Sequence, residues 1–372
     1  MVSFLLVTYK SRVINKSNMQ PSVRETKKAL GQFFTTNHAH IMRDMGIPPG
    51  VRKIVEPFAG NGDMLNFIED ESAYDIERYD IDPKNEDTVR RDTLADPPCY
   101  DGAFVITNPP YLARNKTTSR ESKALFDRYG TNDLYKCFFV GLLTNRCVGG
   151  IVVVPLNFWC SVRKMDVDLR KRFLETYRVE RMNVFEERVF DDTSYTVCCF
   201  QFGIRGNADE TEGPDDGSFE ISMYPGAGRR FAVRLDDANN HTFGGEIYAL
   251  PTNDRYAISR LVRGGTPNTN ILVKCIDDNE RSRIGMKIVE DADLFYDDTP
   301  NRTARTYATL VITPAITRER QEKLVADFDA YLDERRARFH SLFLSNYRES
   351  NSIARKRISF DLVYRIVGFL LI

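Results

Sequence analysis

Residues 54–65 read IVEPFAGNGDML, and this stretch decides the fold class. An apolar, strand-like run ends at Glu56, and a turn containing Gly60 and Gly62 leads into a helix-like segment. Glycines allow the backbone of such a turn to approach a ligand closely. The carboxylate of Glu56 would repel a pyrophosphate, whereas it suits a cationic or hydroxyl-rich ligand. The stretch therefore predicts the first strand and the ligand-binding turn of a parallel α/β sheet.

Length and composition restrict the class of protein. The chain has 372 residues, of which 42% are apolar and 28% charged, and its formal net charge is -1. This length predicts more than one domain, and this composition argues against wholesale disorder. The net charge gives no global signal for a nucleic-acid partner, so any such surface has to be local.

The sequence lacks a metal-binding cysteine pattern and a long N-terminal apolar segment. The seven cysteines include no CxxC pair and have no zinc-like spacing to a histidine, which predicts reduced thiols and no metal site. The apolar run near the N-terminus is too short for a signal peptide or a membrane span. We therefore expect a protein without a membrane partner in the cytoplasm of a bacterium, or of a host cell if the protein is viral.

Hydrophobic patterning predicts the domain organisation. Between residues 53 and 204, short apolar runs alternate with amphipathic segments, which is typical of a doubly wound α/β sheet with crossover helices and a final antiparallel pair of strands. An acidic segment with Gly and Pro follows, and then short strand-like pieces and a long helix. The expected divisions are an N-terminal extension (1–23), an α/β domain (24–204), a linker (205–217), a mixed α+β domain (218–345) and a C-terminal segment with a terminal helix (346–372).

Two acidic residues follow the next predicted strands. Asp80 ends the second strand in YDID, where a carboxylate can accept hydrogen bonds from both hydroxyls of a ribose. Asp92 follows the third strand, where a carboxylate could accept a hydrogen bond from the exocyclic amine of an adenine. Each acid alone is as readily an ordinary solvated loop residue. Their order along the chain favours a site for a nucleoside-bearing ligand.

Residues 107–111, TNPPY, follow the fourth predicted strand. The two prolines make this loop rigid and force Asn108 into an extended conformation. The Asn108 side-chain oxygen and the Pro109 carbonyl could then accept both hydrogens of one planar amine, and Tyr111 could stack on the base that carries it. The alternative is a purely structural Pro-Pro turn, which does not need Asn and Tyr together. On its own, the loop is compatible with DNA, RNA and protein amide substrates.

These motifs carry a resemblance to a known family. EPFAGNG, YDID and NPPY, in this order, resemble the S-adenosylmethionine site and catalytic motif of amino-methyltransferases. GQFFT, at 31–35, resembles the element that covers the methionine end of the cofactor in DNA adenine-N6 methyltransferases. IVVVPLNFW and VFEERVFDDTSYTVCCFQF resemble the strands after the catalytic loop in those enzymes. The resemblance covers residues 24–204, and the order of the motifs is that of the γ class of type II restriction-modification methyltransferases, with a texture similar to enzymes of large algal viruses.

The resemblance implies a fold and a set of site residues. The fold would be a Rossmann-like S-adenosylmethionine-dependent sheet, with residues 218–345 as a target-recognition domain. The catalytic residues would be Asn108, Pro109, Pro110, Tyr111 and Phe190, with Phe190 packing on the second face of the adenine. The cofactor-binding residues would be Gly31, Phe33, Thr35, Glu56, Pro57, Ala59, Gly60, Gly62, Asp80, Ile81, Asp92 and Asn108. Thr93 departs from the family, in which many members have a large apolar residue at this position.

The resemblance also implies the partners. Adenine in duplex DNA has to be rotated out of the stack before its amine can react. Phosphate contacts are expected from Arg114, Lys116, Arg120 and Lys123, and from some of the cations between Arg335 and Arg357. The enzyme would be a monomer or weak dimer that protects a short palindrome, for which CATG is a guess, from a cognate restriction endonuclease without needing to contact it. The alternatives are an RNA adenine or protein glutamine methyltransferase and a catalytically silent nucleic-acid-binding protein.

Overall fold

The structure is a computed structural model with two hydrophobic cores. It describes residues 37–190, 195–206, 216–226, 229–252, 254–279, 281–297, 306–344, 346–350 (backbone alone) and 354–372. One core surrounds a large, mostly parallel sheet, and the other lies between a smaller antiparallel sheet and two helices. The predicted α/β class with a second, mixed α+β part is confirmed.

The main sheet has nine strands among the described residues, in the order β3-β2-β1-β4-β5-β7-β6-β8-β9. The strands are β1 (Lys53–Glu56), β2 (Asp75–Asp80), β3 (Val89–Arg90), β4 (Ala103–Thr107), β5 (Gly149–Pro155), β6 (Tyr177–Phe185), β7 (Val197–Ile204), β8 (Ser218–Tyr224) and β9 (Arg230–Arg234). Strands β1 to β5 pair in parallel, and β7 is antiparallel to both β5 and β6. The predicted antiparallel pair is therefore β6 and β7.

Among the described residues, one of the crossover helices that the sequence pattern predicts is absent. The helices on this sheet are α1 (His38–Ile41), α2 (Arg120–Tyr129), α3 (Leu134–Thr144), α4 (Asn157–Cys160) and α5 (Lys164–Thr176). Between β1 and β2 the chain forms two short 3₁₀ segments, Asp63–Phe67 and Glu71–Ala73, in place of a crossover α-helix. The left-handed Gly62, with φ of 84°, precedes the first of them, and such segments are used in short pieces.

The first two strands after the linker belong to the main sheet. β8 pairs in parallel with β6, and β9 pairs with β8. The sequence pattern assigns both strands to the second domain, because they follow the acidic segment at 205–217. Residues 207–215 lie outside the described part of the chain, as does the extension at 1–23. The two sheets therefore do not divide at residue 217.

The second sheet is built from β10 (Ala257–Arg260), β11 (Ile271–Lys274), β12 (Gly285–Ile288) and β13 (Tyr307–Thr313), in the order β10-β13-β11-β12. Two helices pack on it, α6 (Arg318–Phe339) and the terminal helix α7 (Phe360–Leu370). A hairpin of β14 (Asn346–Ser350) and β15 (Ala354–Arg357) lies between these helices in the chain. No described helix has the length and apolar character needed to cross a membrane.

Candidate functional site

A cavity of about 300 Å³ lies at the carboxyl edge of the parallel strands. Its wall includes Gly60 after β1, Asp80 at the end of β2, Asp92 after β3 and Asn108 after β4. The cavity belongs to the size class of small-molecule sites, which range from about 300 to 1,000 Å³. Predicted residues from four loops thus meet at one place, because parallel strands present their carboxyl ends at the same edge.

The glycine turn and Asp80 hold each other in place. The amide N–H of Gly60 donates to Asp80 Oδ2 at 2.9 Å, and the amide of Asp82 donates to Asp80 Oδ1 at 2.7 Å. Gly60 and Gly62 both have left-handed φ angles, of 55° and 84°. Each carboxylate oxygen keeps lone-pair capacity for a further donor. The turn therefore presents an oriented acceptor to the cavity.

Glu56, at the end of β1, is a buried acid whose carboxylate has no hydrogen-bond partner among the described residues. Its side chain is completely inaccessible to solvent. Burial raises the pKa of this carboxyl well above its ordinary value, although Arg78 acts in the opposite direction. An orphaned buried carboxyl is costly unless a donor or a cation meets it. The predicted neighbours Pro57 and Ala59 are buried beside it.

The far wall of the cavity combines an acid with apolar side chains. Asp92 Oδ1 accepts the amide N–H groups of Leu94 and Ala95, so this carboxylate also orders its own turn. Ile81 lines the cavity and is 44% exposed, which is unusual for a large apolar side chain. Thr93, where the sequence departs from the family, donates its buried hydroxyl to the Pro57 carbonyl at 2.8 Å. Thr93 thereby ties the loop after β3 to the loop after β1.

The TNPPY loop closes the cavity beside β4. Asn108 and Pro110 line the cavity, whereas Pro109 is buried behind them. The Tyr111 hydroxyl lies 2.5 Å from Asn108 Oδ1 and 2.9 Å from the Val153 carbonyl, and it shares its single hydrogen between these two acceptors. Tyr111 is only 5% exposed, and its ring packs edge-on against Tyr135 and Tyr195. In this structure Tyr111 therefore orients Asn108 instead of presenting an open ring face.

Asp133 anchors the exit of this loop, and the sequence analysis missed it. Ala113 and Asp133 form an isolated β-bridge, and the amide of Leu134 donates to the Leu112 carbonyl at 3.3 Å. The carboxyl is buried, and its Oδ1 has no hydrogen-bond partner among the described residues. Burial raises its pKa to about 7, and Lys136 opposes the shift. An acid before an apolar helix resembles an ordinary N-cap, and Asp133 is distant from TNPPY in the sequence, so no local sequence signal marks it.

The basic segment after the loop folds over the cavity. Ser119, Glu121, Ser122 and Leu125, at the start of α2, line the cavity wall. The nearby cations have protein partners: Arg114 pairs with Asp127 at 2.6 Å, and Lys116 donates to the Tyr195 hydroxyl at 3.1 Å. Arg120 and Lys123 are exposed. Part of the predicted phosphate-facing segment thus forms the wall of the ligand cavity.

Phe190 lies in the loop between β6 and β7, close to a set of ion pairs. Phe190 is 2% exposed, and Arg188 Nε donates to its carbonyl at 2.8 Å. Glu187 meets His40 of α1 at 2.9 Å, and Glu186 pairs with Arg229 at 3.2 Å. Residues 191–194 are outside the described part, and the placing of Phe190 against a target base stays a prediction.

Some predicted contacts lie outside the described residues, and some basic residues serve other purposes. Gly31, Phe33 and Thr35 fall within 1–36, which the structure does not describe. Arg335, expected among the phosphate-contacting cations, is 8% exposed and pairs with Glu246 at 2.5 Å. Lys356 is 7% exposed and pairs with Glu186. Both cations are held in internal ion pairs and do not face a phosphate. The sequence positions of these residues do not indicate the pairs.

The described residues contain no group of three or more His, Cys, Asp or Glu side chains that could hold a metal ion. Six of the seven cysteines are buried, and Cys99 is exposed. Burial raises the pKa of the Cys137 thiol to about 11 and that of Cys147 to about 12, so neither is a thiolate at neutral pH.

Comparison with known proteins gives only weak similarities. No protein-family model matches the chain, and no curated protein matches its sequence significantly. Among solved structures, a modification subunit of a putative type I restriction enzyme from Vibrio vulnificus has a TM-score of 0.41 at 14% identity, over 56% of this chain and 51% of that one. A type I restriction-modification methyltransferase subunit from Streptococcus thermophilus has a TM-score of 0.37 at 15% identity, over 52% and 48%.

A third similar structure is a putative class I S-adenosylmethionine-dependent methyltransferase from Listeria monocytogenes, with a TM-score of 0.35 at 14% identity, over 50% of this chain and 60% of that one. The chain thus spans about half of the length of the structures that it matches. At these values the similarity carries no conclusion about activity, and the function has to be inferred from the site itself.

Proposed function

We propose that the chain is an S-adenosylmethionine-dependent methyltransferase that acts on the N6 amine of adenine in duplex DNA, with the γ order of motifs. One observation carries the proposal: Asn108 and Pro110 line the same cavity as Asp80, Ile81 and Asp92. A loop suited to an amine and a set of acids suited to a nucleoside thus share one enclosed space.

The residues of the cavity fit this cofactor. Glu56 does not line the cavity but lies four residues before Gly60, which does, and its buried carboxyl without a hydrogen-bond partner suits a cationic group such as the ammonium or sulfonium of S-adenosylmethionine. Asp80, held by two backbone amides, would accept the ribose hydroxyls. The free oxygen of Asp92 would accept the adenine amine, and Ile81 would pack on the ring. When bound, the cofactor supplies an electrophilic methyl group.

The protein's own contribution to the reaction is positioning. The Asn108 side-chain oxygen and the Pro109 carbonyl would accept the two hydrogens of the target amine and leave its lone pair free for attack. Tyr111 holds the Asn108 amide through its hydroxyl, and the prolines hold the backbone. Such fixed acceptors lower the barrier without a side-chain base of unusual pKa. The resulting proton would leave through these acceptors to solvent.

The biological role follows from the substrate. A base in a duplex is accessible only after it is flipped out, and we propose that Phe190 packs on one face of the flipped adenine. Residues 218–345 would contribute target recognition, and the modified site would be a short palindrome, with CATG as the proposed sequence. Methylation there would protect DNA from a cognate restriction endonuclease.

Incubation of the protein with methyl-labelled S-adenosylmethionine and duplex DNA tests the proposal. We expect label in DNA, recovered as N6-methyladenine after digestion to nucleosides. Label in RNA or in protein glutamine alone would support the alternatives that share the NPPY motif. Cofactor binding without transfer to DNA, RNA or protein would indicate a catalytically silent nucleic-acid-binding protein.

A further inference from the structure

A second cavity, the cationic groove, lies between the β11–β12 hairpin and α6 and has a volume of about 530 Å³. Five cationic side chains and two acidic ones line it. The cations are Lys274, Arg281, Arg283, Lys287 and Arg336. The groove therefore carries an excess of positive charge, although the whole chain has a formal net charge of -1.

Lys274 and Arg336 are engaged in ion pairs that hold them against the protein. Lys274 Nζ pairs with Asp278 at 2.8 Å, and Arg336 pairs with Asp333 at 3.2 Å. Of the acids, Asp329 is turned inward and accepts the Met286 amide N–H at 2.9 Å. The side chains of Arg281, Arg283 and Lys287 are exposed at the groove.

Hydrogen bonds connect the groove to the catalytic edge of the main sheet. β6 runs in the same direction as β4 and β5, so Glu186, which follows it, lies at the edge that carries Asn108. Lys356 binds Glu186 through its ammonium, while its carbonyl accepts the Asp277 amide at 3.0 Å. Asp277 leads directly into the turn that presents Arg281. Three strand spacings separate β4 from β6, which is about 14 Å.

The spacing of the exposed cations fits a repeating polyanion better than a small anion. Lys287 lies in β12 and Arg283 two residues before this strand, and four residues of fully extended chain span at most about 13 Å. This length matches about four base-pair steps of duplex DNA at about 3.4 Å each. Tyr307, 37% exposed, adds a hydroxyl-bearing ring to the same wall.

We propose that the cationic groove binds the phosphate backbone of duplex DNA beside the site at which the target base enters the catalytic cavity. This inference rests on the proposed function, because it takes DNA as the substrate. Arg281, Arg283 and Lys287 make the phosphate contacts, and the Lys356–Glu186 pair fixes the groove relative to Asn108. The contacts add affinity and orientation without reading the base sequence.

The salt dependence of DNA binding tests the groove. For wild type and for R281Q/R283Q/K287Q, the affinity for a short duplex is measured over a series of NaCl concentrations. Each phosphate contact contributes about 0.9 to the slope of log K against log salt, so the triple variant should lose roughly 2 to 3 units of slope. The matched control is K164Q/R318Q/K323Q, in which three exposed cations on α5 and α6 are neutralised and the slope should stay at the wild-type value.

If the triple variant has the same slope as the control variant, the proposal that the groove binds DNA is wrong. A wild-type slope that appears with duplex RNA and is absent with duplex DNA overturns the choice of DNA. Methyl transfer by the wild type, measured on the same duplex, separates this inference from the proposed function. Transfer with an unchanged slope in the triple variant rejects the groove alone. A lost slope without any transfer rejects the methyltransferase activity and leaves the groove as a DNA-binding surface.

Discussion

The catalytic cavity and the cationic groove are built from opposite chemistry. The cavity holds about 300 Å³ and combines Asp80 and Asp92 with apolar walls. The groove holds about 530 Å³ and exposes Arg281, Arg283 and Lys287. The first suits a cationic, hydroxyl-bearing cofactor and the second a polyanion. A net charge near zero can therefore conceal two strongly charged sites, because the charges are segregated and each site is local.

This difference implies that variants of the two sites change different measurements. Cavity variants should alter turnover or cofactor binding and leave the salt dependence of DNA binding unchanged. Groove variants should reduce the salt dependence of DNA binding and leave cofactor binding unchanged.

The largest effect is expected for Asn108→Ala. Removing the side-chain acceptor should lower kcat by about 100-fold to 1,000-fold, the range found when one oriented polar group is removed from an active site. Cofactor affinity, measured by calorimetry, should stay near the wild-type value, because Asp80, Asp92 and Glu56 are unchanged. Asn115→Ala, at an exposed position of the same segment, is the control and should be close to wild type. Near-normal turnover in the Asn108 variant would contradict the mechanism.

Tyr111→Phe should have the next largest effect. The substitution keeps the ring and removes the hydroxyl that holds Asn108 Oδ1 and binds the buried Val153 carbonyl. We expect kcat to fall about tenfold with little change in the KM for cofactor, and unfolding to become about 1 kcal/mol easier. Tyr248→Phe removes a comparable hydroxyl bond, to the Phe343 carbonyl at 2.9 Å, far along the chain and should affect stability alone. Equal kcat in both variants would argue against an orienting role for Tyr111.

Asp133→Asn should change the pH profile. The carboxyl has a pKa raised to about 7, so it is ionised above that pH and protonated below it. The backbone N–H groups of Leu112 and Leu134 favour the ionised form, so the loop exit should be held more firmly once Asp133 is charged. Wild-type kcat at saturating cofactor should therefore rise about fivefold as pH increases through 7. This change is no larger than the difference in strength between hydrogen bonds to charged and to neutral acceptors.

The Asp133→Asn variant should show a flat profile at the low-pH value. Asp329→Asn provides the control, because Asp329 is also a partly buried acid that accepts a backbone amide but lies at the groove. This control should keep the wild-type profile. If the kcat of Asp133→Asn still rises near pH 7, the titration belongs to another group.

The smallest expected effect is the proton balance of cofactor binding. In the free protein, burial raises the pKa of Glu56, and a cationic ligand beside it would lower that pKa again. Binding should therefore release up to about one proton, and affinity should increase with pH. Calorimetry in buffers of different ionisation enthalpy measures the release, which Glu56→Gln should abolish. Proton uptake on binding would contradict a cation at Glu56.

Local signals explain how much of the cavity could be predicted from the sequence. Gly60, Gly62 and Asp80 have identities that their positions in the turn and at the strand end require, and the structure brings Gly60 and Asp80 together. The strands that precede Asn108 and Asp92 likewise predict that these two residues lie at the carboxyl edge of the sheet. These residues could be predicted because each lies within a few residues of the strand that positions it.

The rest depends on contacts that are distant in sequence. Glu186 and Lys356 form an ion pair across 170 positions, and no local pattern marks them as partners. β8 joins the main sheet although it follows an acidic segment that is typical of a domain boundary. The groove depends in the same way on a hairpin and a helix that meet only after folding. Local patterns predict where single side chains lie, whereas pairing of remote elements has to be seen in the structure.

Mapping of modified bases in the DNA of cells that express the chain tests the central claim most directly. The account predicts N6-methyladenine at one short palindromic sequence throughout the genome, and its loss when the expressed chain carries Asn108→Ala. Absence of N6-methyladenine in cells with the wild-type chain, or equal methylation with the Asn108 variant, would contradict it.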